Sequence, residues 1–230
     1  MRGLSTILIG AALAVLVVGV SLYPLTHATF TRLLVQRYAN QQQIGLPESR
    51  IKTVAEQVRR FVDDTESPGL PATVDGRPGF DAAAVSHLLD VRSVIAGART
   101  VTGILAAIVA VWLATVIALR RFDYIAPALF LGAAMCVAIV VLGAVAGLLN
   151  FDALFTWFHG LFFAAGTWEF PADSLLIEVF PEQFWSTAAA VWAGLVLLGG
   201  GILAVAGVFV RGEVTGVLKG SAKGGPSAGA

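Results

Sequence analysis

Cysteine is nearly absent from this sequence: Cys136 stands alone in 230 residues. No internal disulfide can form, which excludes a disulfide-stapled secreted scaffold. Histidine is almost as scarce, at three residues, and no group of Cys and His residues has the spacing of a metal cage. Charged residues are only 13% of the chain, and positive and negative charges cancel. The basic residues are dispersed, which argues against a nucleic-acid footprint. No Gly-x-Ser-x-Gly element offers a covalent nucleophile, and Cys136 sits mid-span as a small hydrophobe. The apolar runs hold nothing more polar than scattered Ser and Thr and this one thiol, so a small-solute transporter is disfavoured.

Apolar residues fill the space left by these absences, at 57% with a mean hydropathy of +0.82. They concentrate in four runs, at about 4–25, 101–119, 127–149 and 187–210. Each is long enough to cross a bilayer core of roughly 30 Å as a helix rising about 1.5 Å per residue. The predicted fold class is therefore all-α: a polytopic membrane protein with four transmembrane helices and an amphipathic helix in an extracytoplasmic loop. Arg2 precedes the first run, which is read as a retained span rather than a cleaved signal peptide. Arg120-Arg121 closes the second run, and the short joint to the third makes those spans antiparallel neighbours. Arg2, Arg120-Arg121, and Arg211, Lys219 and Lys223 fall on one side, which the positive-inside rule makes cytoplasmic. Both termini are then cytoplasmic, and the loops at about 26–98 and 150–186 lie outside. Residues 1–210 are expected to form a single four-helix domain, with 211–230 as a flexible cytoplasmic tail.

Within the first loop, Ile51, Val54, Val58, Phe61 and Val62 recur at helical spacing, with Lys52, Glu56, Arg59, Arg60 and Asp63 largely opposite. This predicts an amphipathic helix lying on the bilayer or over the bundle. Ser67 to Gly79, rich in Pro and Gly, reads as turn or loop. Helical character resumes from Phe80 to Ala98. The second loop is nearly as apolar as a span yet carries His159, Trp168, Glu169, Asp173, Glu178 and Glu182, with Pro171 and Pro181 breaking any long helix. It reads as a segment at the membrane surface and as the place for chemistry. Gly143-x-x-x-Gly147 reads as a helix-packing motif.

The topology puts His27, His87 and His159 on one side of the membrane. An imidazole in the apolar setting of Trp157-Phe158-His159-Gly160 tends to stay neutral, the form that a general base needs. Gly160 permits close approach to the backbone. Glu169, Asp173 or Glu178 can orient the ring or anchor a cationic group, and spacing does not choose among them. His87 and Asp90, three apart, can share a helical face, where a carboxylate on one ring nitrogen raises basicity at the other. His27 reads as a helix-end residue or as one supporting the site from behind the other two. Each histidine has a plainer reading too, as an interfacial side chain or a surface pair.

Three segments carry a resemblance: Ser86-His87-Leu88-Leu89-Asp90-Val91-Arg92; Phe158-His159-Gly160-Leu161-Phe162-Phe163 with Thr167-Trp168; and Pro181-Glu182-Gln183-Phe184-Trp185. In order, spacing and topology they resemble the signatures of a bacterial four-span membrane family, the lipoprotein intramolecular transacylases. The resemblance covers the first span through the fourth. It implies that His87 and His159 are the catalytic residues, facing one site. It implies transfer of the sn-2 acyl chain of a diacylglyceryl-cysteine lipoprotein to that cysteine's own amino group, leaving a lyso-form lipoprotein. Asp90, Gly160, Trp168 and Glu169 are the supporting or oxyanion candidates. No cofactor or metal is implied. The partners are diacylated bacterial lipoproteins and membrane lipid, with a monomer favoured, and the location is the bacterial cytoplasmic membrane with the site facing outside. An esterase acting on the same class of lipid and a non-catalytic scaffold are the alternatives.

Overall fold

A computed structural model describes residues 2–63 and 67–223 of the chain. It is built from nine α-helices, two short 3-10 helices and one short hairpin among those residues. They divide into two compact units, one formed from residues 1–20, 102–141 and 195–230 as far as these are described, the other from 21–101 and 142–194.

The first unit draws on α1 (Arg2–Val20), the later part of α5 (Ala82–Ala118), most of α6 (Ile125–Leu149) and α9 (Glu182–Lys223). Four segments are long and apolar enough to span a bilayer: Gly3–Thr26, Ala82–Ala118, Phe122–Leu149 and Glu182–Gly212. Only 11–28% of their most apolar windows is buried inside the protein. So much exposed Leu, Ile and Val is stable only against lipid. This is a multi-pass membrane protein. Its helices meet through small residues: a side chain at Gly199 would stand 2.5 Å from Val17, and one at Gly132 3.1 Å from Leu13. Ile9, Leu13 and Ala128 form the centre of this packing, flanked by Trp112 and Leu203. The joint after α5 places Arg120 at φ 52°, and Arg121 donates to the Tyr124 hydroxyl at 2.8 Å.

One expectation changes here. The helix-packing motif is not used as such, since Gly143 faces open space and Gly147 meets Leu154 of the next helix. Small residues permit close packing only on a face turned toward a partner, and in the first unit Gly132 and Gly199 hold that position. Helix α9 runs past 211, where the flexible tail is expected to begin, as far as Lys223. The rest of that expectation, 224–230, lies outside the described residues.

The second unit gathers what the sequence suggested were loops. After His27 come α2 (Ala28–Tyr38), α3 (Gln41–Ile44) and α4 (Glu48–Asp63). Strands β1 (Thr73–Val74) and β2 (Arg77–Pro78) pair antiparallel around Asp75-Gly76. Both turn residues have positive φ, 48° and 86°, the form that a two-residue hairpin of this twist requires. The early part of α5 follows, then α7 (Phe151–Phe162), α8 (Leu175–Val179) and the start of α9. The stripe of α4 (Ile51, Val54, Ala55, Val58 and Phe61) is buried in a core shared with Leu34, Val35, Val74, Phe80, Leu175, Val179 and Phe184. The amphipathic helix therefore spends its apolar face on a protein core rather than on a bilayer surface. Residues from α2, the hairpin and α8 supply the other half of that core.

Arginines of α5 fasten this core to the helix bearing His87. Arg92 donates to the Phe61 carbonyl and lies over the Phe61 ring at 4.4 Å. Arg99 pairs with Asp63. Both reach the C-terminal end of α4, where free carbonyls and the helix dipole favour cations.

Candidate active site

Two helix starts position the site. Asp81 accepts from the Ala84 amide at 2.8 Å and so caps α5, an arrangement worth about 1 kcal/mol. His87 follows in the second turn. Asn150 caps α7 through the Ala153 amide at 2.9 Å, and His159 lies two turns on. Helix α7 is short because Phe163 is extended, at φ −125° and ψ 147°. The chain then turns at Gly166, φ 79°, and brings Trp168 and Phe170 back toward the histidines.

The two imidazoles stack, with ring centroids 6.3 Å apart and planes 26° from parallel. His87 is only 8% exposed. It packs edge-on against Phe163 at 4.9 Å and beside Phe170 at 5.5 Å. Its Nδ1 is buried without a hydrogen-bond partner among the described residues. His159 is half-buried. Phe155 lies 4.0 Å from it, Trp168 4.6 Å and Phe163 5.5 Å. Its Nδ1 stands 2.8 Å from the Phe155 carbonyl oxygen. A carbonyl only accepts, so Nδ1 carries the hydrogen and Nε2 of the neutral ring keeps its lone pair. Burial holds the His159 ring below the ordinary histidine range, and the bond to Phe155 works against that shift. The pair sits in an apolar setting, and α7 turns Trp157, Phe158, Leu161 and Phe162 outward, a surface suited to lipid.

The other candidates divide. Trp168 belongs to the cluster, but it approaches through its ring face. Gly160 lies inside α7, where its amide serves the helical ladder, while the space beside its Cα is open. Asp90 and Glu169 are exposed, and neither is bonded to a histidine ring among the described residues. The i, i+3 spacing puts Asp90 one turn from His87 on α5, exposed where the histidine is buried. Glu178 is bound instead to Arg77 at 2.6 Å. His27 caps α2, accepting from the Thr29 amide at 3.3 Å, as its reading at a helix end implied. Sequence reasoning missed the Phe155 carbonyl and the contacts of Phe163 and Phe170. The signal for the first was present, since a side chain at i+4 reaches the carbonyl one turn back. No group of three or more His, Cys, Asp or Glu residues able to hold a metal ion occurs among the described residues.

Four helices able to span a membrane make this a polytopic membrane protein, and its second unit holds paired imidazoles walled by aromatic rings. The chain belongs to the lipoprotein intramolecular transacylase family, Lit, an acyltransferase family whose profile matches residues 5–185. Its fold resembles the structure of the membrane-integral lipoprotein intramolecular transacylase Lit from Bacillus cereus, with a TM-score of 0.78 at 14% identity, covering 94% of this chain and 98% of that one. A histidine-to-arginine variant of the same Bacillus cereus protein matches with a TM-score of 0.71 at 14% identity, over 94% of both chains. At such identity the likeness shows a shared fold. No curated protein sequence matched the chain significantly.

Proposed function

We propose that this chain moves the sn-2 acyl group of a diacylglyceryl-modified N-terminal cysteine onto that cysteine's own α-amine. The observation that carries the reading is the pairing of His87 and His159 at 6.3 Å within aromatic walls, in a chain of this family. Donor ester and acceptor amine sit on one molecule, so folding the substrate replaces a second binding event. The substrate ammonium, with an ordinary pKa near 8, gives a proton to His159 Nε2, the nitrogen that the Phe155 bond leaves free. The amine attacks the ester carbonyl, and the bond to the sn-2 oxygen breaks as that oxygen takes up a proton. A buried N–H without an acceptor costs more than a buried lone pair without a donor, which favours the His87 tautomer with hydrogen on Nε2. His87 then donates a hydrogen bond to the developing oxyanion and passes its Nε2 proton to the departing glycerol oxygen. It takes up the second proton of the attacking nitrogen, so this ring ends neutral, and His159 sheds the first proton to water. The products are an N-acyl amide and a free glycerol hydroxyl, and the mass of the lipoprotein is unchanged.

The site faces outside a bacterial cytoplasmic membrane, with both termini cytoplasmic. The placement of Arg2, Arg120, Arg121 and Arg211 at span ends, and the absence of Lys and Arg from 152–186, support that orientation. The test is expression in a host making diacylated lipoproteins, followed by fragmentation of one lipoprotein's N-terminal peptide. An acyl group located on the amine, at unchanged total mass, supports the reading. Loss of one acyl mass points to an esterase, and an unaltered pool points to a scaffold.

A further inference from the structure

We infer that Trp168 is a positioning residue that sets the proton affinity of His159 by presenting its indole face to the protonated ring. This deepens the proposed function, because it concerns the base of that same site. A general base spends part of each cycle as a cation. In most folds a carboxylate answers that charge, but none is bonded to His159 here among the described residues. The titratable groups nearby are His87 and, one turn on in α5, Asp90; Asp152 at the start of α7; and Glu169 and Asp173 in the returning segment. The four carboxylates are exposed. What the imidazole does meet is rings. The Trp168 and His159 centroids are 4.6 Å apart at 32°, and Phe155 is 4.0 Å away at 39°.

Both contacts are nearer parallel than edge-on, so a protonated ring at this position lies against π density. Tryptophan has the strongest quadrupole of the aromatic side chains, and the attraction grows when water is excluded. Burial disfavours the charged ring, and an indole face offsets part of that cost without bringing a competing anion into a lipid-facing site. A carboxylate there would also pair with the substrate ammonium and hold it protonated. The turn at Gly166 serves this placement, since its positive φ returns the chain so that Trp168 faces a residue nine positions earlier.

The test is read without substrate, on the full chain in detergent micelles. The His159 imidazole is titrated by nitrogen-15 NMR, its signal assigned by loss in His159→Asn. Trp168→Leu is expected to lower the midpoint by about one pH unit, and Trp168→Phe by less in the same direction. The acid limb of the activity profile should move with it. Unchanged midpoints overturn the inference. Trp168→Phe suffices where the leucine variant folds poorly. A shifted midpoint in a wild-type protein with no transacylase activity would leave this inference standing and remove the proposed function; active wild type with unmoved midpoints would do the reverse.

Discussion

Arg77 and Glu178 meet at 2.6 Å although 101 residues separate them in the chain, and the glutamate side chain is only 5% exposed. The same guanidinium donates to the Ile44 carbonyl. One arginine thus ties the hairpin to α3 and to α8, and α8 ends the segment that carries Trp168 and Phe170. Removing one partner leaves the other charge stranded in a place with little water. Arg77→Ala should cost about 3 kcal/mol of stability, and Arg77→Met with Glu178→Leu should cost less than the single change. Denaturation of the detergent-solubilised protein measures both, and equal losses would contradict the stranded-charge argument.

Replacing either histidine of the pair removes acid–base chemistry without removing the fold. His159→Asn is expected to lower the transacylation rate by about 10²-fold or more, and His87→Asn should be strongly impaired. Both should retain the wild-type unfolding transition within a modest shift. His27→Asn keeps a helix-capping side chain and should leave the rate nearly unchanged. Initial rates on a synthetic diacylated lipopeptide distinguish the three.

Because the His159 ring lies below the ordinary histidine range, it stays neutral at a pH where an exposed imidazole is half protonated. The activity should hold down to pH 6.5 and fall as pH drops through the lowered value. The stability linkage has the same sign. The unfolded chain protonates first, so this ring's contribution is complete above the ordinary value and disappears as pH falls through the folded one. A rate profile whose acid limb lies above pH 7 would contradict the assignment of His159 as the base.

The span packing makes a separate prediction. Gly199 has Val17 at 2.5 Å from where a Cβ would stand, whereas Gly201 has nothing within 4 Å. Gly199→Leu should therefore destabilise the protein by about 1–3 kcal/mol. Gly201→Leu should be tolerated as one more apolar side chain on the surface. Thermal unfolding in micelles compares them directly.

The four spans were legible because about twenty consecutive apolar residues have few alternatives to crossing a bilayer. The histidines were legible as a pair through topology and through the segments around them. The fold of residues 28–63 was only half legible. The stripe of α4 announced a helix, but nothing local said that Leu34, Val74 and Leu175 would complete its core. Asp90 was a reasonable partner by spacing, and it stands exposed one turn from the buried His87. Arg77 with Glu178 was invisible, because a pair across 101 residues depends on where the whole chain goes. The bond from His159 to the Phe155 carbonyl depends only on one helical turn, and it is the part of the site's geometry closest to the sequence.

The central claim is that one molecule supplies both the acyl group and the amine that receives it. Mixing lipopeptide substrates with heavy and light isotopes throughout tests this, with fragmentation mass spectrometry of the product after incubation with wild-type protein. Every N-acyl group is predicted to carry the same isotope label as the glyceryl-cysteine to which it is attached, and His159→Asn to form that product about 10²-fold more slowly or worse. Scrambled labels would show transfer between molecules and contradict the intramolecular reaction.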